Sequence, residues 1–121
     1  MNVPNVGKNI DIVMLNRHVQ DLKSSLKPLL DDMRNFILMG ELKGGIDPAG
    51  ADEHWKTAGT ALHRIRQTFQ NRISIVFIGG AIEKAMAKEI YAQLVTGELS
   101  YVANLTNVDQ LAALCQWMVK Q

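Results

Sequence analysis

A long stripe of apolar residues runs through the first third of the chain, at spacings that alternate between three and four. Its positions are Ile12, Leu15, Val19, Leu22, Leu26, Leu29, Met33 and Phe36. This heptad pattern is typical of a helix that buries one narrow face. Pro28 breaks the backbone hydrogen bonding of such a helix without shifting the stripe. The pattern therefore predicts one long, kinked first helix that ends at Gly40.

Helical periodicity resumes after a glycine-rich loop over residues 40–52. Asp47 and Pro48 suit the N-cap and the first position of the next helix. Apolar residues then recur at helical spacing from Trp55 as far as Phe77. We therefore predict a second helix over this stretch.

The remaining third of the chain predicts two more helices. One follows Gly79-Gly80, is rich in helix-forming residues, and ends at Gly97. Residues 98–105 are interpreted as extended or loop-like, and a last helix follows them. Cys115 falls on the apolar face of that helix, which predicts a buried thiol.

The segment ISIVFI, at residues 73–78, allows two interpretations. Its β-branched residues suit a buried strand, which would make the protein a small α/β enzyme with an anion held at Gly79-Gly80. We favour a helix, because the sequence offers no second convincing strand to pair with it. The fold prediction is an all-α, single-domain bundle of four to five helices over residues 10–121, preceded by a flexible tail over residues 1–9.

Composition narrows the class of protein. The 121 residues are 47% apolar, with a formal net charge of +1, which suits one globular domain and argues against gross attraction to polyanions. A single cysteine excludes an internal disulfide framework and favours a cytoplasmic location. No apolar run approaches the roughly 18 residues needed to span a membrane, and the start lacks the pattern of a signal peptide.

Charge is unevenly distributed along the chain. Residues 54–82 carry four basic side chains and no acidic one, whereas both flanking segments are net acidic. The basic stretch suits an acidic protein partner, or it pairs with the acidic first helix inside the bundle. Four cations make a weak nucleic-acid signature, so that partner is not favoured. The candidate binding residues are Lys56, His63, Arg64, Arg66 and Arg72.

The run HRIRQT that begins at His63 resembles the His-x-Leu-Lys-Gly-Ser run of histidine phosphotransfer domains, which are helical bundles. The resemblance implies that an exposed His63 accepts a phosphoryl group and that Arg66 helps to neutralise it. Gln67 departs from the glycine of that family. The alternative interpretation is an ordinary surface histidine on a helix.

Other catalytic patterns find little support in the sequence. His18 shares a predicted helix face with Asp11 and Asp21, which equally suits a solvated polar face. The sequence contains neither a nucleophile elbow nor a phosphate-binding glycine motif. We therefore predict no metal or cofactor and a non-enzymatic binding or regulatory module, such as an adaptor, inhibitor or assembly factor. A histidine phosphotransfer module that uses His63 is the alternative.

The narrow apolar stripe of the first helix also predicts a homodimer. A strict stripe of this kind is typical of a coiled-coil seam rather than of the wider face buried in a globular bundle. The alternative is a monomer in which the last two helices fold back and cover the stripe. The predicted interface residues are Leu15, Val19, Leu22, Leu26 and Leu29.

Overall fold

The computed structural model describes residues 1–17 and 26–121, and these form a mixed α/β fold. The elements, in chain order, are β1 (Asn2–Val3), β2 (Lys8–Asn9), β3 (Ile12–Leu15), α1 (Lys27–Asp31), β4 (Phe36–Lys43), α2 (Ala51–Phe69), β5 (Ser74–Gly79), α3 (Lys84–Thr96), β6 (Tyr101–Asn104) and α4 (Val108–Met118). The prediction of an all-α helical bundle is therefore wrong.

The central sheet has four strands in the order β3-β4-β5-β6, which is also their order along the chain. β3 runs antiparallel to β4, whereas β5 is parallel to β4, and β6 is parallel to β5. Helices α2 and α3 carry the chain back between the parallel strands, as such connections require. The sheet therefore contains two consecutive βαβ units with an antiparallel strand on one edge.

Apolar side chains cover both faces of the sheet. On one face Met39 and Phe77 pack in a cluster with residues of α2 and α3. On the other face Leu38 and Val76 pack in a cluster with Leu114 of α4. Adjacent residues of a strand point to opposite faces, so β4 and β5 are buried on both sides.

The apolar stripe from Ile12 to Phe36 does not form one helix. Its start is strand β3, its end opens strand β4, and Pro28 lies at the first turn of the five-residue helix α1. Residues 18–25, which include Val19 and Leu22, lie outside the described residues. Short apolar strands match a spacing of three and four by chance, and this is why the periodicity misled the prediction.

Residues 73–78 are mostly strand, since β5 spans Ser74–Gly79, so the preference for a helix there is wrong. The partners are β4 and β6, neither of which alternates between apolar and polar residues in the sequence. Gly40 lies in the middle of β4 rather than at the end of a helix. A Cβ atom there would overlap Val76 of the neighbouring strand, so close pairing of β4 with β5 requires this glycine.

Three helices overlap those that the sequence predicts, although α2 ends at Phe69 rather than near Phe77. Asp47 accepts the Ala49 backbone N–H at the short turn that leads into α2, and α2 ends at a left-handed Gln70. Gly97, with a φ of 80°, ends α3 as predicted. The side chain of Asn107 caps α4.

Two other details concern the ends of the chain. Residues 1–9, predicted as a tail, contain the β1–β2 hairpin, whose Val3 and Val6 side chains are buried in the apolar cluster beside α2. Cys115 is exposed on α4, so the prediction of a buried thiol is wrong, and Leu114 occupies the buried position instead. Among the described residues, no helix is long and apolar enough to cross a membrane.

Candidate active site

Three charged side chains meet where β3 begins and β4 ends. The register of the antiparallel pair sets Ile12 opposite Gly40, which brings Asp11 beside Glu41. Asp11 Oδ2 accepts a hydrogen bond from the Leu42 backbone N–H at 3.0 Å, so its carboxylate is fixed to β4. Glu41 and Lys43 are two residues apart on one strand and therefore point to the same face of the sheet.

The Glu41 carboxylate is the most constrained of these groups. Its side chain is only 5% exposed, and its Oε2 lies 3.5 Å from Lys43 Nζ. Its other oxygen, Oε1, is buried and has no hydrogen-bond partner among the described residues. Burial and the negative charge of Asp11 raise the pKa of Glu41, and the neighbouring Lys43 only partly opposes them.

This arrangement suits a hard divalent cation. Carboxylate oxygens are the ligands that Mg²⁺ prefers, and a buried oxygen without a partner gains most from such a ligand. No cluster of three or more histidine, cysteine or acidic side chains that could hold a metal occurs within residues 1–17 and 26–121. Mg²⁺ commonly binds through one or two carboxylates and completes its shell with water and phosphate oxygens. Asp11 and Glu41 therefore fit Mg²⁺, with coordination positions left for a substrate.

Glycines hold the strand ends beside this site close together. The Gly80 backbone N–H, just after β5, donates to the Lys43 carbonyl at 2.8 Å. A Cβ atom on Gly80 would come within 2.8 Å of the carbonyl oxygens of Gly44 and Gly45. On its other side Gly45 lies against the ring of His54 in α2. The chain that follows Lys43 is thus packed between β5 and the start of α2.

The candidate binding residues of the basic stretch lie mostly at the opposite end of the sheet. Helix α2 starts near the carboxyl end of β4 and delivers the chain to the amino end of β5, about 28 Å away at 1.5 Å per residue. Arg64 and Arg66 lie in the second half of α2, and Arg72 lies just before β5. The structure therefore does not bring these arginines to Glu41.

Two of these basic residues form polar contacts nearby. Lys56 forms an exposed ion pair with Asp52 at 2.9 Å, and His63 is exposed on α2. Arg66 is half-buried and donates to the Glu98 carbonyl at 3.4 Å, and its burial lowers its pKa. Binding by this basic group remains a prediction.

The predicted dimer interface loses the continuous helix that motivated it. Leu15 lies half-buried in β3, Leu26 precedes α1 and is 37% exposed, and Leu29 lies within α1. Val19 and Leu22 lie outside the described residues. The homodimer itself remains a prediction.

Sequence reasoning missed Glu41 and Lys43 and considered Asp11 only with His18 and Asp21, which both lie outside the described residues. The missed signal was the order of residues in FILMGELK, where an apolar run is followed by an acid and a lysine two residues apart. Such a pair shares one face of a strand, whereas the prediction assigned this stretch to a helix end and a loop.

Comparison with known proteins identifies relatives among the type II restriction enzymes. The chain is 50% identical over 124 residues to the type II restriction enzymes AvaI of Nostoc sp. and of Anabaena variabilis, a match that covers 99% of this chain and 38% of each relative. It is 47% identical over 122 residues to the type II restriction enzyme BsoBI of Geobacillus stearothermophilus, covering 98% of this chain and 37% of that relative. The chain thus spans less than two fifths of the length of these relatives.

These relatives overturn the functional prediction. A non-enzymatic adaptor, inhibitor or assembly factor is wrong, because all three relatives are restriction enzymes. A phosphotransfer module built on His63 is wrong for the same reason, and its expected helical bundle is not formed. The sequence model of the restriction endonuclease BsobI family matches residues 1–121, and the chain therefore belongs to that family.

Proposed function

We propose that this chain carries the catalytic centre of a metal-dependent endonuclease that hydrolyses phosphodiester bonds of DNA. The observation that carries the proposal is the buried Glu41 carboxylate, which has one oxygen without a partner and lies beside Asp11. Membership of a restriction endonuclease family supplies the reaction class and the substrate. DNA is accordingly the partner that we propose, in place of the acidic protein predicted from the sequence.

Asp11 and Glu41 would hold the cation. The hydrogen bond from the Leu42 N–H fixes one oxygen of Asp11, which leaves its second oxygen available for a ligand. Glu41 offers Oε1, because Oε2 already lies beside Lys43. A bound Mg²⁺ supplies a Lewis acid that polarises a phosphate and acidifies a water molecule.

Lys43 complements the two carboxylates. Its side chain is 25% exposed, so it remains accessible at the site. There it can donate to a phosphate oxygen or to the attacking water as negative charge develops. The pair with Glu41 keeps the ammonium group in this position before DNA binds.

The test measures cation binding and DNA cleavage separately, because the chain spans only part of its relatives. Mg²⁺ or Mn²⁺ is titrated into the protein by calorimetry, and cleavage of plasmid DNA is followed with the cation and with a chelator. We expect Glu41→Gln to abolish cation binding and any cleavage. We expect Lys43→Met to retain cation binding but to lose cleavage.

Matched controls test whether these effects are specific to the proposed site. Glu83→Gln and Lys88→Met remove the same charges at exposed positions on or next to α3 and should change neither measurement. The proposal fails if Glu41→Gln binds the cation as well as the unchanged protein does. If cations bind but cleavage is absent, the cation site stands and the nuclease assignment for this chain alone fails.

A further inference from the structure

An open groove lies beside β6, at the opposite edge of the sheet from β3. It has a volume of about 750 Å³ and runs between α3 and the first turns of α4. Tyr91 and Leu94 of α3 and Val102 of β6 supply apolar walls, and Asp109 of α4 also lines the groove. The groove is therefore mainly apolar with one acidic side chain.

Two exposed apolar side chains line this groove, and two more are adjacent in sequence to residues that line it. Tyr91 is 70% exposed and Leu94 37%, and both line it. Val95, the next residue of α3, is 68% exposed, and Val108 at the start of α4 is 78% exposed. Exposed apolar side chains at a groove typically mark a place where another molecule or segment packs.

The edge of the sheet beside the groove is also open. Within the described residues, β6 pairs only with β5, and its other edge has no strand. The Gln110 side chain accepts the Asn104 backbone N–H at 2.8 Å and so covers one end of this edge. An open edge next to apolar surface favours the addition of further polypeptide.

The length of the relatives indicates what covers this surface. Most of each relative's length lies outside the part that matches this chain. That additional polypeptide can pack on the shared domain, and burial of the apolar groove favours such packing. We propose that the groove between α3 and α4 is the docking surface for this additional part of the relatives.

The chemistry of the groove favours a polypeptide over nucleic acid. None of the side chains that line it is a lysine or arginine, and its one ionised group is the acidic Asp109. It lies beside β6, whereas Asp11 immediately precedes β3 and Glu41 is on β4, so it is separate from the proposed cation site. The docked surface should present apolar side chains to Tyr91 and Leu94 and hydrogen-bond donors to Asp109.

The test places a photo-reactive benzoylphenylalanine at the position of the intact Nostoc relative that aligns with Leu94. After irradiation, the cross-linked peptides are identified by mass spectrometry. We expect the relative to keep the mass of one chain and to show a cross-link to a peptide outside the part that matches this chain. A matched control at the position that aligns with Gln67, exposed on α2, should give several-fold less of that product.

The other outcomes overturn the proposal. Cross-links that join two copies at this position would assign the groove to self-association. Equal yields at the positions of Leu94 and Gln67 would show that the groove remains open in the longer proteins. The 121-residue chain, labelled at Leu94 and irradiated when dilute, should give no product that joins two copies through Leu94, and such a product would again favour a second copy.

Discussion

Asp11 Oδ2 accepts the Leu42 N–H at 3.0 Å and thereby joins two carboxylates that are 30 residues apart in the chain. Without this bond Asp11 would precede β3 as an ordinary exposed acid. With it, the charge of Asp11 contributes to the raised pKa of Glu41. One backbone hydrogen bond thus links the pairing of β3 with β4 to the electrostatics of the proposed cation site.

Asp11→Asn should separate the charge of Asp11 from its hydrogen bond. An asparagine oxygen still accepts the Leu42 N–H, so β3 stays paired with β4. The pKa of Glu41 should fall, because a neighbouring negative charge has been removed. Carboxyl NMR of Glu41 during a pH titration measures this shift, and calorimetry should show a loss of Mg²⁺ affinity.

Asp47→Asn is a closely matched control for that change. Asp47 also accepts a backbone N–H, from Ala49 at 3.0 Å, but it lies in the turn before α2. Its replacement should alter neither the pKa of Glu41 nor Mg²⁺ affinity. An unchanged Glu41 titration in Asp11→Asn would contradict the coupling of the two carboxylates.

Glu41→Gln should stabilise the cation-free protein at neutral pH. Burial and Asp11 raise the pKa of Glu41 in the folded protein, so its ionised form opposes folding. This penalty is absent below the ordinary pKa of 4.5 and grows as the pH rises through the raised value. We expect a gain in stability at pH 7 that disappears below pH 4.5, where the acid and the amide are both uncharged.

Urea unfolding at several pH values measures this gain. Glu83→Gln is the control, because that exposed acid lies at the amino end of α3 and interacts favourably with the helix dipole. Its removal should cost about 0.3–1 kcal/mol, the opposite sign. A Glu41→Gln variant that is less stable than the parent at pH 7 would show that the ion pair with Lys43 outweighs the burial.

Gly80→Ala should disturb the site without touching its charges. The added Cβ would lie 2.8 Å from the carbonyl oxygens of Gly44 and Gly45, so the chain that follows Lys43 must move. We expect destabilisation of about 1–3 kcal/mol, as for other overpacked sites. Calorimetry and urea unfolding should show weaker Mg²⁺ binding together with the lower stability.

The matched glycine for this experiment is Gly59 in α2, where an added Cβ meets no atom within 4 Å. Gly59→Ala should stabilise the helix by about 0.5–1 kcal/mol and leave Mg²⁺ binding unchanged. Retention of full Mg²⁺ affinity in Gly80→Ala would mean that the loop beside Lys43 does not support the site.

Trp55→Phe should weaken the contact between α2 and α3. The Trp55 indole N–H donates to Glu89 Oε2 at 2.6 Å, and its ring packs edge-on against Phe77 at a centroid distance of 5.0 Å. Phenylalanine keeps an aromatic ring but loses the hydrogen bond to a charged acceptor, which is worth about 1.5–3 kcal/mol. Thermal unfolding measures the loss.

Trp117→Phe controls for the loss of an indole, because Trp117 packs beside Tyr101 and its N–H has no hydrogen-bond partner among the described residues. It should cost less than Trp55→Phe. Equal losses in the two variants would mean that ring size, rather than the bond to Glu89, sets the stability.

The sequence predicted the helices that cover the sheet better than the sheet itself. Helices α2 and α4 each have a polar face toward water, so their periodicity is visible in the sequence. Strands β4 and β5 are buried on both faces, so they lack the alternation that identifies a strand. Strand β3 is only partly buried, but its four residues are all apolar, so it too lacks alternation and was assigned to a helical stripe.

The candidate site was missed because it depends on that sheet. Glu41 and Lys43 share a face only in a strand, and Asp11 reaches them only through antiparallel pairing. The basic residues of α2 were easier to notice, since a local excess of charge requires no knowledge of the fold. Lys56 and His63 lie exposed on α2, and binding by them remains a prediction.

The agreement between strand order and chain order has a consequence for how the protein is made. Each strand of β3-β4-β5-β6 joins the free edge left by its predecessor, so none has to insert between strands that have already paired. The sheet can grow in the direction of translation, since domains emerge from the ribosome amino-terminal end first. Asp11 and Glu41 meet as soon as β4 pairs with β3, and Gly80 closes over the adjoining loop only after β5 has been synthesised.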